Sequence, residues 1–258
     1  MSLQLNDKGS NEYQEFYGRN IDQMPKLIAD GRTPLGVAGL MRRRLEVIGT
    51  RLQDVWWNNY FDTGDGIVRN PCGGATIALN TPLLRAITPN SNFHNYELVL
   101  IGAPTGETFS KRDVEQYSRK HQSEKEVVNN PFWLTFANHD AALLKDYARA
   151  TFKLAKAKYG YEKNMGIFLA NPDSVPTVRP VYVGDLNNNG SAANGNNYLD
   201  FSSGRLVGVS AGGAVARDNS TCEKIVAPTL EQIITTMKEY VAPTNINEVR
   251  KALEKLYK

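Results

Sequence analysis

The sequence has few residues that form cross-links or bind metals, and little excess charge. Its 258 residues include two cysteines and three histidines, and the net charge is +3. Cys72 and Cys222 lie far apart and neither belongs to a C-x-x-C pair, which excludes a zinc ribbon or a dithiol redox motif. We expect both thiols to be reduced. The small net charge gives no general argument for a nucleic-acid partner or a membrane surface.

Long hydrophobic runs are also missing. No window approaches the ~18 uninterrupted apolar residues that a membrane span requires, and the opening stretch MSLQLNDKGSNEYQEFYG has no basic segment followed by an apolar one. We therefore expect a soluble protein that stays in the cytoplasm. With 41% hydrophobic and 22% charged residues, the chain can build one large core without disulfides. We expect one globular domain over residues 1–258, with residues 1–30 as a polar, peripheral segment.

Helical and β-rich patterns occur in separate clusters along the chain. Thr33 followed by Pro34 is a typical helix start, and apolar spacing predicts that this helix runs over 33–48. Further helices are predicted after Ser110 to about residue 128, over 132–159, and over 230–241 and 246–257. Strands are predicted between residues 54 and 104 and from about 165 to 210, with connections too short for crossover helices. This clustering predicts a single-domain α+β fold with a mostly antiparallel or mixed central sheet.

The stretch LVGVSAGGAVA contains Gly208-Val209-Ser210-Ala211-Gly212 and so matches the G-x-S-x-G pattern of a nucleophile elbow. In that class of hydrolase the acid and the histidine follow the serine, whereas every histidine in this chain precedes it. A nucleophilic Ser210 would need an upstream base such as His139. Close packing of a strand against its neighbour explains the same small residues. We expect the packing role, and we keep the hydrolase as the alternative.

Residues 184–199, GDLNNNGSAANGNNYL, form a run that is too long and too polar for an ordinary hairpin loop. We expect a long loop that is either mobile or ordered by a ligand. Its first half resembles an EF-hand loop, but Asn196 stands where a bidentate glutamate is needed and no helices flank it. Oxygen ligands for a divalent cation, calcium in particular, remain available. The candidate ligands are Asp185, Asn187, Asn189 and Asp200.

Two other motifs are incomplete. The segment from Gly102 to Thr108 resembles a phosphate-binding loop, but it is one residue short and has Glu107 in place of lysine, so we reject an ATP site. His139-Asp140 resembles the paired ligands of metal-dependent phosphohydrolases. Those enzymes are helical throughout, whereas the downstream aspartates here fall in β and loop segments. We expect His139 to lie on a helix flank.

The stretch WWNNYFDTGD combines adjacent tryptophans with amides and carboxylates. On a strand Trp56 and Trp57 would point to opposite faces, so one ring would be exposed or lie at an interface. Exposed rings beside Asp62 and Asp65 would suit a sugar or a protein partner. A sheet covered on both faces would instead bury both rings.

The sequence contains no complete catalytic set. We therefore predict a binding or accessory protein that is not an enzyme, with recognition by the loop of residues 185–197 and the aromatic stretch of residues 56–65. Its partner would be a small molecule or another protein. The alternatives are a serine-dependent hydrolase that uses Ser210 and a structural subunit of a larger assembly.

Overall fold

The computed structural model describes residues 3–100, 105–118, 120–187, 190–196 and 198–210. The chain divides into two compact units, Met1–Arg217 and Asp218–Lys258, and all the described residues belong to the first. The two helices predicted beyond residue 229 lie outside the described residues. A single domain over the full chain therefore stays a prediction.

Helices and strands are mixed along this first unit. The helices are α1 (Asn20–Ala29), α2 (Val37–Glu46), α3 (Gln53–Trp57), α4 (Pro82–Arg85), α5 (Lys111–Tyr117), α6 (Glu124–Val128), α7 (Pro131–Phe136) and α8 (Ala141–Tyr159). The strands are β1 (Tyr13–Tyr17), β2 (Thr33–Pro34), β3 (Phe61–Arg69), β4 (Ala75–Ala78), β5 (Phe93–His94), β6 (Glu97–Val99), β7 (Glu107–Phe109), β8 (Ile167–Leu169), β9 (Thr177–Val183), β10 (Ala193–Gly195) and β11 (Arg205–Val209). Among the described helices, none is long and apolar enough to cross a bilayer.

All these strands belong to one mixed sheet. Its main path runs β1-β11-β3-β9-β10-β8, with β2, β4, β5, β6 and β7 attached at its sides. The pairs β8–β10 and β3–β11 are parallel and the other pairs are antiparallel. The predicted α+β class with a mixed central sheet is confirmed. The run of residues 184–199 is not loop throughout, because it contains β10.

Apolar side chains cover both faces of the sheet. Neighbouring strand residues point to opposite faces, and accordingly Ile67 and Val207 belong to one core cluster while Val68 and Leu206 belong to another. The first cluster also holds the aromatic side chains of α3, α7 and α8. The second packs under α1 and α4. The main strands are therefore packed from both sides.

The helix predicted over 33–48 begins later than its local signals suggest. Thr33 and Pro34 form β2 and pair with β11, and α2 starts at Val37 after Gly36. The carboxylate of Asp65 accepts the backbone N–H of Val37 at 2.7 Å and so supplies the cap that Thr33 was expected to give. A partner distant in sequence thus satisfies one of the free N–H groups at the start of this helix.

The predicted helix over 132–159 is broken in two. Asn138 and His139 have φ values of +55° and +60°, a left-handed conformation that no α-helix contains. Asp140 then caps α8 by accepting the N–H of Leu143 at 2.9 Å. The predicted end of α8 is confirmed, since Gly160 has a φ of +72° and terminates it.

Candidate functional site

The aromatic stretch predicted as a recognition surface belongs to the core. Trp56 and Trp57 lie in α3 and not on a strand, with 0% and 1% of their surface exposed. The indole N–H of Trp56 donates to the carbonyl of Leu5, and that of Trp57 donates to the carbonyl of Arg44. Neither ring is exposed, in agreement with the alternative that buries both, and they are buried because the helix directs both rings into the first core cluster.

Asp62 and Asp65 also have structural contacts. Asp62 is buried and its carboxylate accepts the backbone N–H of Arg205 at 2.6 Å. Asp65 accepts the N–H of Val37 and also that of Asn80, each at 2.7 Å. Both carboxylates therefore join neighbouring parts of the fold.

Ser210 follows β11 directly. Its N–H donates to the carbonyl of Glu12 at 2.9 Å, which extends the pairing between β1 and β11. The histidines contact other residues: His94 contacts Asp173, His121 packs against Phe168, and His139 contacts Glu107. Ala211 and Gly212, the other half of the motif, lie outside the described residues. The hydrolase alternative, with His139 as its suggested base, stays a prediction.

His139 lies between α7 and α8, close to the helix flank on which it was expected. Its Nε2 is 3.2 Å from Oε2 of Glu107, and 60% of its side chain is exposed. The same carboxylate oxygen accepts the hydroxyl of Thr135 at 2.5 Å. Glu107 thus ties β7 to the end of α7.

The residues proposed for a calcium site are only partly described. The carbonyl of Asp185 accepts the N–H of Ser191 at 2.7 Å and closes a turn; Asn187 is exposed in this turn. Asn189 lies outside the described residues. Asp200 lines a cleft to which Asp185 and Asn187 do not contribute. Among the described residues, no group of three or more His, Cys, Asp or Glu side chains gathers as a cation would require, and calcium binding stays a prediction.

A cleft of about 800 Å³ opens at one edge of the sheet. Strands β8 and β10 are parallel, so both end at this edge. Strand β9 is antiparallel to β10 and begins there. The turn between β5 and β6 forms the facing wall, since β6 pairs with the start of β9. The side chains that define the cleft come from four separate segments: Tyr96, Glu97, Asp173, Arg179, Tyr198 and Asp200.

A buried ion pair forms the floor of the cleft. The guanidinium of Arg179 donates to the carboxylate of Glu97, and that carboxylate also accepts the hydroxyl of Thr177. Only 9% of the Arg179 side chain and 4% of the Glu97 side chain are exposed. A second N–H of Arg179 donates to the carbonyl of Asn196 at 2.6 Å. The floor therefore fixes the chain that follows β10 to the adjacent sheet.

Two tyrosine rings stand at the rim of the cleft. Tyr96 is 61% exposed and Tyr198 is 45% exposed. Their centroids are 5.9 Å apart in an edge-to-face arrangement, which is a favourable geometry for aromatic pairs. The guanidinium of Arg179 lies over the Tyr198 ring, 4.6 Å from its centroid. The N–H of Leu199 donates to the carbonyl of Tyr96, so a backbone contact also joins the two segments.

Tyr96 is held in a strained backbone conformation. Asn95 and Tyr96 form the two-residue connection between β5 and β6, with φ values of +49° and +63°. Positive φ at both positions is what a type I′ turn requires, and glycine is preferred at the second. A bulky residue there costs on the order of 1–3 kcal/mol. Such strain is typical of positions where a side chain serves recognition.

Asp173 braces this turn from the other side of the cleft. It accepts the amide of Asn95 at 2.8 Å and lies 3.2 Å from Nε2 of His94. Its other oxygen accepts the N–H of Ser174 at 2.6 Å. The backbone hydrogen bond from Ser174, followed by that from the amide of Asn95, lowers the pKa of Asp173 to about 2. The carboxylate is therefore ionised at neutral pH.

Most of this site was not predicted from the sequence. Only Asp200 was among the candidate residues, and the predicted loop of residues 185–197 contributes Asn196. One signal was available: Asn95-Tyr96 lies between two strand-like runs at a spacing that suits a two-residue turn. Arg179 lies inside a strand pattern and carries no local sign of a site.

The chain matches no protein-family model and no curated protein. It is similar to a solved structure reported as "Accommodation of massive sequence variation in Nanoarchaeota by the C-type lectin fold". The TM-score is 0.58 and the identity is 17%, over 79% of this chain and 100% of that chain. At this identity the likeness shows the fold alone, which is that of the C-type lectins.

Proposed function

We propose that this protein is a binding protein and that the cleft bordered by Tyr96 and Tyr198 is its recognition site. The observation that carries the proposal is the pair of exposed tyrosine rings, one of them held in a turn that favours glycine. Aromatic side chains provide much of the contact energy in recognition sites. The buried pair of Arg179 and Glu97 holds the floor beneath them.

The similar structure supports different roles for the core and the surface of this fold. Its report says that the C-type lectin fold accommodates massive sequence variation in Nanoarchaeota. Applied to this chain, the two apolar clusters maintain the fold, while the segments at the sheet edge determine what is bound. These segments are the β5–β6 turn and the residues after β8 and β10.

A ligand screen with matched variants tests the proposal. The intact protein and a double variant, Tyr96→Gly with Tyr198→Leu, are exposed to one library of peptides, sugars and nucleotides, and binding is followed by saturation-transfer NMR. Tyr161→Leu is the control, because Tyr161 is a surface tyrosine that stacks on Tyr159. We expect compounds that bind the intact protein and the control but not the double variant. If every bound compound also binds the double variant, or if none binds the intact protein, the proposal is wrong.

A further inference from the structure

The side chains that line the cleft carry more negative than positive charge. Three carboxylates, Glu97, Asp173 and Asp200, line it with one guanidinium, that of Arg179. Arg179 is bound to Glu97 in the floor, so these two charges offset each other. The remaining carboxylates, Asp173 and Asp200, lie nearer the opening and are half-exposed. The rim of the cleft is therefore negative.

Arg19 and His94 lie close to the carboxylates of this rim. Arg19 interacts electrostatically with Asp200, but its guanidinium donates to both carboxylate oxygens of Asp22 at 2.7 and 3.2 Å. His94 contacts Asp173 and sits at the edge of the same turn. The donors to Asp173 from Ser174 and Asn95 are neutral groups. The two neutral donors therefore orient the Asp173 carboxylate without cancelling its charge.

The aromatic rings, like the carboxylates, attract positively charged groups. The face of a tyrosine ring carries negative electrostatic potential and attracts a cation within about 6 Å of its centroid. Tyr198 already binds the guanidinium of Arg179 in this way on its inner side. Tyr96 is largely exposed beside it. Rings and carboxylates together select against anions and favour a positively charged group.

We propose that the cleft binds a cationic side chain, the guanidinium or ammonium group of an arginine or lysine residue carried by a peptide or protein partner. This inference rests on the function proposed above. The cation lies against the exposed face of Tyr96, and Asp200 accepts its N–H groups. A guanidinium suits this position well, since its planar fork stacks on a ring and also binds a carboxylate.

A pair of isosteric probes tests the charge requirement. N-acetyl-arginine amide and N-acetyl-citrulline amide have nearly the same shape, but only the first is charged. Each is titrated into the full chain carrying ¹³C-labelled tyrosine, and the ring signals of Tyr96 and Tyr198 are followed by NMR. Tyr96→Gly and Tyr198→Leu assign the signals. We expect saturable shifts with the arginine probe and an affinity at least tenfold lower for citrulline.

Variants and salt then locate the attraction. Asp200→Asn should weaken binding of the arginine probe about tenfold, whereas Asp54→Asn, a change at an exposed carboxylate on α3, should not change it. Raising NaCl from about 0.05 M to about 0.5 M should weaken binding several-fold, because salt screens exposed charges. Equal affinity for the two probes, or no ring shifts with either, overturns the inference.

The ligand screen distinguishes a wrong cationic ligand from a wrong recognition site. If the ligand screen yields a neutral or anionic compound that needs Tyr96 and Tyr198, the cleft is a recognition site but the cationic ligand is wrong. If no compound depends on those rings, both proposals fall together.

Discussion

A guanidinium N–H of Arg44 donates to the carbonyl of Gly184 at 3.0 Å, and this bond joins the last turn of α2 to the residue that follows β9. Arg44 is completely buried. Its other N–H groups donate to the carbonyls of Trp56 and Asn59 and to the hydroxyl of Tyr147. One side chain thus satisfies four acceptors on three segments, and it anchors the start of the run of residues 184–199.

Arg44→Met should therefore destabilise the fold strongly. The change leaves buried acceptors without donors, and we expect a loss of about 3–5 kcal/mol in the free energy of unfolding, measured by urea denaturation. Arg42→Met is the control on the same helix. Arg42 is partly exposed and lies 3.7 Å from Asp140, so its loss should cost about 1 kcal/mol or less. Similar losses for the two variants would contradict the role given to Arg44.

Two glycine substitutions should differ sharply in cost. Gly106 has a φ of +148°, and a Cβ there would overlap the carbonyl of Ile77, across the pairing of β4 with β7. We expect Gly106→Ala to destabilise the protein by about 2–5 kcal/mol. Gly160 has a φ of +72° but open space around it, so Gly160→Ala should cost about 1 kcal/mol. Thermal and urea unfolding of the two variants measure the difference.

Asp173 should give the β5–β6 turn a dependence on acidic pH. Its pKa is lowered from 3.8 to about 2, so the ionised carboxylate stabilises the fold. The contribution of the ionised carboxylate to stability is complete above pH 3.8 and is lost as the pH falls from 3.8 to about 2. An NMR titration of the Asp173 carboxyl carbon should give a midpoint near 2, together with shifts of the Asn95 amide. In Asp173→Asn the Asn95 shifts should vanish. A midpoint at or above 3.8 would contradict the hydrogen bonds described.

Tyr96→Gly should separate stability from binding. Asn-Gly is the preferred pair for a type I′ turn, so relief of strain offsets the lost contact with Tyr198. We expect the free energy of unfolding to stay within about 1 kcal/mol of the original value. Binding of ligands to the cleft should be lost. The matched change is Tyr198→Leu, which removes the partner ring without altering the turn. A large loss of stability in Tyr96→Gly would show that the ring supports the fold.

Signals contained within a few residues allowed correct predictions. The helix predicted after Ser110 begins there, because Ser110 and Asp113 form a capping box within one helical turn, although it ends at Tyr117 and not near residue 128. Gly160 ends α8 for a similarly local reason. The strand at residues 205–209 is also as predicted, since its apolar residues pack on both faces of the sheet.

Features that depend on distant partners were not predictable. Thr33-Pro34 has the local chemistry of a helix start, but it pairs with β11 while Asp65 caps the helix. Strand β10 forms within an Asn- and Gly-rich run because β8 and β9 lie on either side of it. The cleft also depends on distant partners, since Tyr96, Arg179 and Tyr198 come together only when the sheet has formed.

The pairing of β1 with β11 also determines when the sheet can be completed during synthesis. Tyr13 pairs with Val209, and nearly two hundred residues separate them. At roughly 5–20 residues per second, a ribosome needs on the order of 10–40 s to make the intervening chain. During that interval β1 has emerged without its partner, and the edge that it covers does not yet exist. Pairing at such sequence separation slows folding, so this protein closes its sheet late, after most of its strands have left the ribosome.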